Sequence, residues 1–364
     1  MTTISVIKAD IGGLVGHTGV DPDILSFFEE GLKEESIFDD FFVGWAGDDI
    51  ALILSHNKGE NHPEVHRIAW ELFKEAAELA KDKKLYGAGQ DILKDSFSGN
   101  VKGSGLGVAE MEFEERPSEP IVVFLMDKTE PSAFNLPLYK MFADPFNTPG
   151  LIIDKGMSKG FRFLIYDLVN NKQAHFETPE ESYALLGYIG DRHYAIKKVF
   201  ARSEKFPEKE PVASVSTEKL SLIAGRYIGK DDPVAIVRAQ SGLPAVGEIL
   251  EAFSHPWLVA GWMRGSHIGP LMPVPMEKAN PSRFDGPPRV VALGFQVNDG
   301  KLEGPVDLFD DVAFDRVREK ANEVADYIRL HGPFEPHRLP AQDLEYTTLP
   351  DLQERYKERW QPIE

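Results

Sequence analysis

The stretch "GRYIGKDDPVAIVRA", Gly225–Ala239, has two halves, and how they are read decides the fold. The second, Val234–Ala239, is apolar and rich in β-branched residues, which predicts a buried strand. The first is broken by glycines and ends in Lys230, Asp231, Asp232 and Pro233, which predicts a turn and not a helix. A lysine therefore stands against two carboxylates at the mouth of an apolar strand. Taken alone, such a segment reads as a solvated turn.

The same arrangement recurs along the chain. Asp10 closes the strand predicted over Thr3–Ala9 and is followed by "IGGLVGHTG", which carries His17. Phe41–Ser55 predicts two strands joined at Ala46–Asp49, with Asp48 and Asp49 in the turn. Gln90 and Asp91 close the Gly-rich "YGAGQD", and the apolar run Ile121–Met126 ends at Asp127-Lys128. An aspartate at a strand end often serves only the backbone donors of its own turn. Several of them converging would instead offer the oxygen ligands that Mg²⁺ prefers. Two such ions sharing a carboxylate activate water against a phosphate ester. Repetition of these carboxylates beside Gly, His, Gln and Lys is what sets a metal site level with a set of unrelated turns.

Between the strands lie amphipathic segments. Pro22–Glu35 and Pro63–Lys83 predict helices, the second from Val65, Ile68, Leu72, Ala76 and Leu79 at helical spacing. A hairpin is expected across Asn170-Asn171-Lys172, then a helix over Pro179–Gly190 and a strand over His193–Phe200. Further helices are expected over Thr217–Ala224, Pro244–Phe253 and Val312–His331, with a strand over Arg289–Val297. Pro207–Pro211, "PEKEP", is the best linker candidate, yet polar clusters fall on both sides of it. The pattern predicts an α+β or mixed α/β layered sandwich, built as one domain over residues 1–364.

Composition narrows the chemistry. A formal charge of −19 argues against nucleic acid or any other extended polyanion as partner. The chain has no cysteine, so disulfides and thiolate–metal sites are excluded and metals must be held by oxygen and imidazole. No apolar run approaches a membrane span and the first residues lack a signal-peptide pattern, so a cytoplasmic protein without membrane contact is expected. His62 and His66 are spaced like a zinc pair, but Pro63 starts the helix between them and places His62 at its cap. "GNVKGSGLG", Gly99–Gly107, resembles a phosphate cradle without the ending of a nucleotide P-loop. Arg264-Gly265-Ser266-His267 is a second small basic loop. Lys230 is a Schiff-base nucleophile only when deprotonated, and adjacent aspartates oppose that unless metal neutralises them.

Taken together, "KADIGGLVGHTG", "AGDDIALILSH", "YGAGQD", "SGNVKGSG", "FLMDKTEPSAFN", "GRYIGKDDPVAIVRAQSG" and "WMRGSHIGPLMPV" resemble, in order and over the full length, the archaeal-type fructose-1,6-bisphosphate aldolase/phosphatases. The resemblance implies a four-layer α-β-β-α sandwich assembled as a homo-octamer. It implies several Mg²⁺ ions among Asp10, His17, Asp48, Asp49, Gln90, Asp127, Asp231 and Asp232. Asp10 would be the phosphatase base, Lys230 the Schiff-base lysine and Tyr227 the aldolase acid/base. His17, Tyr86, Gly99, Asn100, Lys128, Gln240, Arg264, Asp285 and Tyr346 would hold the triose phosphates and fructose 1,6-bisphosphate. The rival readings are a Mg²⁺-dependent sugar phosphatase without aldolase activity and a non-catalytic, metal-stabilised oligomeric scaffold.

Overall fold

A computed structural model describes residues 1–92, 105–220, 227–283, 286–331, 338–344 and 348–363. In chain order the elements are β1 (Thr2–Asp10), α1 (Pro22–Lys33), β2 (Asp40–Ala46), β3 (Asp49–His56), α2 (Pro63–Asp82), β4 (Leu106–Phe113), β5 (Glu119–Asp127), α3 (Asn135–Phe142), α4 (Gly150–Ile153), β6 (Phe161–Asp167), β7 (Lys172–Glu177), α5 (Ser182–Ile189), β8 (Tyr194–Ala201) and β9 (Pro211–Val215). They continue as β10 (Glu218–Leu220), β11 (Tyr227–Ile228), β12 (Val234–Arg238), α6 (Val246–Glu251), β13 (Leu258–Gly261), α7 (Trp262–Gly265), β14 (His267–Pro270), β15 (Met272–Pro273), β16 (Arg289–Asn298), β17 (Lys301–Asp307), α8 (Asp315–Arg329) and α9 (Leu349–Tyr356). One sheet runs in the order β11-β10-β4-β1-β3-β2, and a larger one in the order β15-β16-β5-β12-β9-β8-β6-β7, with β17 beside β16. No helix among the described residues is long and apolar enough to cross a membrane.

Period-two alternation sorts these strands into layers. On β1, Ile7 and Ala9 face Ile24 and Phe28 of α1 and Val65, Phe73 and Ala76 of α2. Ile4 and Val6 turn the other way and meet the larger sheet through Ile121, Val123, Leu125, Val234, Ile236, Val291 and Leu293. The far face of that sheet, with Val122, Phe124, Met126, Ala235 and Val237, packs on Phe134, Leu138, Leu185, Ile249 and Phe253. The order of layers is thus helix, sheet, sheet, helix, as the resemblance implies. Each fully buried Val, Leu or Phe in these layers stabilises the fold by about 1.5–3 kcal/mol.

One expectation is corrected. Residues Glu218–Leu220 form a strand, where Thr217–Ala224 predicted a helix (residues 221–226 lie outside those described). Glu218 pairs with Val108 on one side and Ile228 on the other, so ladder partners override a weak local preference. The linker candidate "PEKEP" runs directly into the larger sheet. Glu210 is buried against Arg238, and Pro211 opens β9 between β8 and β12 inside the larger sheet.

Candidate active site

The strands that make the inter-sheet core change chemistry at one end without changing face. On β1 the series Ile4, Val6 continues as Lys8 and Asp10; on β3, Ile53 and Ala51 lead to Asp49. Leu125 on β5 is followed two residues on by Asp127, and Val234 on β12 is preceded by Asp232. Asp10 and Asp49 stand directly opposite each other across β1 and β3. Apolar layer and acidic pocket are one continuous surface.

Glycines let the parts approach. At Gly47, φ is +65° and a Cβ would lie 2.3 Å from Asp127 Oδ2, so only glycine lets the β2–β3 turn close over that carboxylate. A Cβ on Gly107 would lie 2.9 Å from Cγ of Lys230, whose stem crosses β4 there.

The contacts fall into two groups. His17 Nδ1 is 2.6 Å from Asp48 Oδ2 and 3.7 Å from Asp10 Oδ2. Tyr86 stands edge-on to His17, and the would-be Cβ of Gly87 lies 3.2 Å from Gln90 Oε1 and 3.3 Å from His17 Cε1. In the second group Lys8 donates to Asp49 Oδ2 and to the Asp232 carbonyl at 3.2 Å, while Asp232 Oδ1 accepts from Thr129 N–H at 2.7 Å. Lys128 Nζ lies 3.1 Å from Asp127 Oδ1 and 3.5 Å from Asp48 Oδ1, between the groups. Buried Lys230 Nζ is 3.1 Å from both Asp91 Oδ2 and Asp231 Oδ1. The same Asp91 oxygen accepts the backbone N–H of Asp10 at 3.0 Å.

Burial and crowding make these carboxylates hard to ionise. Burial, reinforced by Asp48, Asp49 and Asp91, raises the Asp10 carboxyl well above its ordinary range. Burial pushes Asp127 up to about 7 and Asp91 to about 6, and Asp232 is raised strongly by burial with Asp49, Asp231 and Asp127 adding to it. Asp48 goes the other way: burial opposes it, but Lys128 and the His17 hydrogen bond hold it low. Burial would deprotonate Lys230, yet Asp231 and Asp91 outweigh it and keep it an ammonium ion.

The donor set fits divalent cations. Asp10, His17 and Asp48 offer ligand atoms within 4.8 Å of one another, and so do Asp49, Asp127 and Asp232. Asp127 Oδ2 and buried Gln90 Oε1 accept no hydrogen bond, although buried acceptors are almost always satisfied. A hard cation supplies what these oxygens lack.

Not every expected residue is here. Arg264 is exposed on α7, in a turn with left-handed backbone at Met263 and Arg264. That turn packs beside Lys128, since a Cβ on Gly261 would meet Thr129 Cα at 2.6 Å. Gln240 sits past the opposite end of β12 from Asp232, on the order of 20 Å along the strand, where its carbonyl accepts from Arg116 at 2.6 Å. Gly99, Asn100, Asp285, Tyr346 and the Tyr227 side chain lie outside the described residues. Sequence reasoning assigned no role to Lys8 or Arg289 and counted Asp91 only among the recurring carboxylates. Arg289 starts β16 opposite Asp127, with its Nε buried and without a hydrogen-bond partner. The available signal was parity: Lys8 and Arg289 each continue an apolar alternation by two residues.

A metal-ready set of carboxylates with buried lysines at the end of a two-sheet sandwich is the equipment of an enzyme acting on phosphate esters. The fructose-1,6-bisphosphatase family profile matches residues 1–361. A protein of Ignicoccus hospitalis named fructose-1,6-bisphosphate aldolase/phosphatase is 61% identical, with 100% of this chain and 93% of that protein covered. Relatives of the same name from Moorella thermoacetica and Thermococcus kodakarensis are 59% and 60% identical, covering 100% of this chain and 95% and 98% of theirs. The chain belongs to the fructose-1,6-bisphosphatase family.

Proposed function

We propose that the chain is a bifunctional gluconeogenic enzyme, condensing dihydroxyacetone phosphate with glyceraldehyde 3-phosphate and hydrolysing the C1 phosphate of the product to leave fructose 6-phosphate. Its relatives carry the name of both activities. The observation that carries the reading within one pocket is Asp91 Oδ2, which touches Lys230 Nζ and the backbone of Asp10 at once. The amine for one reaction and the backbone of the base for the other are therefore joined through a single oxygen.

In the aldol half, Lys230 attacks C2 of dihydroxyacetone phosphate and water leaves as the imine forms. Lys230 must first give up a proton and its two carboxylate partners, and Gly229 is placed to allow this. Its φ is +89°, a Cβ there would meet nothing within 4 Å, and β11 before it is a two-residue edge strand. Tyr227, three residues earlier, removes the C3 proton; the enamine carbon attacks the aldehyde, whose oxygen takes up a proton, and water then hydrolyses the product imine to free fructose 1,6-bisphosphate and Lys230. In the hydrolytic half, Asp10 takes the proton of the attacking water; Gly12 N–H holds its Oδ1 at 2.9 Å. Lys128 and Arg264 hold phosphate, with Tyr86 and His17 at the same wall. Mg²⁺ on the two carboxylate groups and Gln90 would neutralise phosphate charge and lower the pKa of water. By the same resemblance the enzyme is cytoplasmic and octameric. Exposed Phe146, Ile153 and Tyr183 supply apolar surface of the kind that further copies cover.

A phosphatase without aldolase activity is the second reading, favoured by Lys230 being held as an ammonium ion. Borohydride reduction with dihydroxyacetone phosphate separates the two. A triose phosphate adduct on Lys230, read by mass spectrometry, is expected; an unmodified Lys230 beside intact phosphate release leaves the phosphatase alone.

A further inference from the structure

Lys8 occupies a position where the alternation of β1 calls for another Ile or Val. It is 2% exposed and sits in β1 between paired strands, opposite Ala51 and Gly107, so it cannot leave the pocket as a loop lysine could. Its ammonium donates to Asp49 on the smaller sheet and to the Asp232 carbonyl beside the larger one. Asp127 and the Asp232 carboxylate also lie within its field. Asp49, Asp127 and Asp232 are the three carboxylates of the second candidate metal group.

Charge balance gives this a consequence. Ionised as metal binding requires, the three carboxylates with the Lys8 and Lys128 ammonium groups carry a net −1, and −2 without Lys8. Three like charges gathered in a dry interior repel strongly. Lys128 meets Asp127, and Lys8 is the cation that reaches Asp49 and Asp232 together and so ties one sheet to the other.

We propose that Lys8 is a tethered counter-ion for the Asp49–Asp127–Asp232 group. It keeps the two sheets joined while that group is free of divalent cation and lowers the negative charge that a bound ion must offset. The proposal rests on the metal reading above and deepens it: Lys8 is a positioning residue, and metal is what can replace it.

Melting temperature read in chelator and across a Mg²⁺ titration tests this. Wild type should melt well in chelator and gain modestly from Mg²⁺. Lys8→Met should lose about 10 °C in chelator, with saturating Mg²⁺ closing most of the gap. An equal loss with and without Mg²⁺ would make Lys8 an ordinary packing residue and overturn the proposal. Lack of any Mg²⁺ effect on either protein would instead sink the metal reading itself. Should Lys8→Met fail to fold, Lys8→Met/Asp49→Asn carries the test, because it removes the cation together with its nearest negative charge. Recovery of melting in chelator supports charge balance, and continued failure to fold overturns it.

Discussion

The inter-sheet layer ends in buried charge on both sides, and the two ends obey opposite rules. At one end Arg238, fully buried, donates to Glu119 at 2.9 and 2.7 Å and to Glu210, and lies 4.5 Å over the Phe113 ring. Arg116 also binds Glu119, at 2.6 Å. Two guanidinium groups meet two carboxylates, and the pairing holds Glu119 below its ordinary range against the push of burial. At the other end of the same β5 and β12 strands, Asp127 and Asp232 stand among further carboxylates and are pushed up. Matched charges read as structure. Unmatched ones mark the place where a ligand is expected to complete the balance.

The comparison is broken most directly at Arg238. Arg238→Met leaves Glu119 and Glu210 buried with too few partners and should cost about 3–5 kcal/mol, read as a large fall in melting temperature with or without Mg²⁺. Unchanged melting would mean the two ends do not differ as argued.

Asp232→Ala should do the reverse. Relieving a repelled carboxylate should raise melting in chelator by a few degrees, while imine trapping and phosphate release both fall by tenfold or more, on the order of a lost metal or positioning contact. A variant that lost only phosphate release would separate the two reactions that one pocket is argued to share.

The smallest expected effect is in pH. In the metal-free fold Asp127 and Asp91 titrate at about 7 and about 6, against an ordinary value of 3.8. The fold therefore holds protons that the unfolded chain releases, and that stabilisation is complete below the ordinary value and lost as pH rises through 6 to 7. Melting in chelator should fall by several degrees from about pH 5 to about pH 8, and saturating Mg²⁺ should flatten the slope. Glu119, held low, adds a loss only when pH falls below the ordinary glutamate range. A chelated protein most stable at pH 8 would contradict the unmatched end.

Much of this was written in local pattern. Apolar runs over Thr3–Ala9, Ile121–Met126 and Val234–Ala239 specify strands, and the Asp at each end is visible because strand and turn chemistry differ residue by residue. What those carboxylates face is not local. Glu218–Leu220 became a strand only because β4 and β11 were there to pair with it. Gln240 belongs to the same quoted block as Lys230 yet lies at the far end of β12, since an extended strand carries its two ends apart.

By itself the sequence determined the apolar strands that carry the site, the absence of thiol chemistry and the recurrence of carboxylates at strand ends. Tertiary structure alone decided which charges meet. Lys8 looks like any strand lysine and Arg238 like any other arginine until two sheets stack. Stacking then removes water from both, and their partners come from strands tens to hundreds of residues away, which no local pattern encodes.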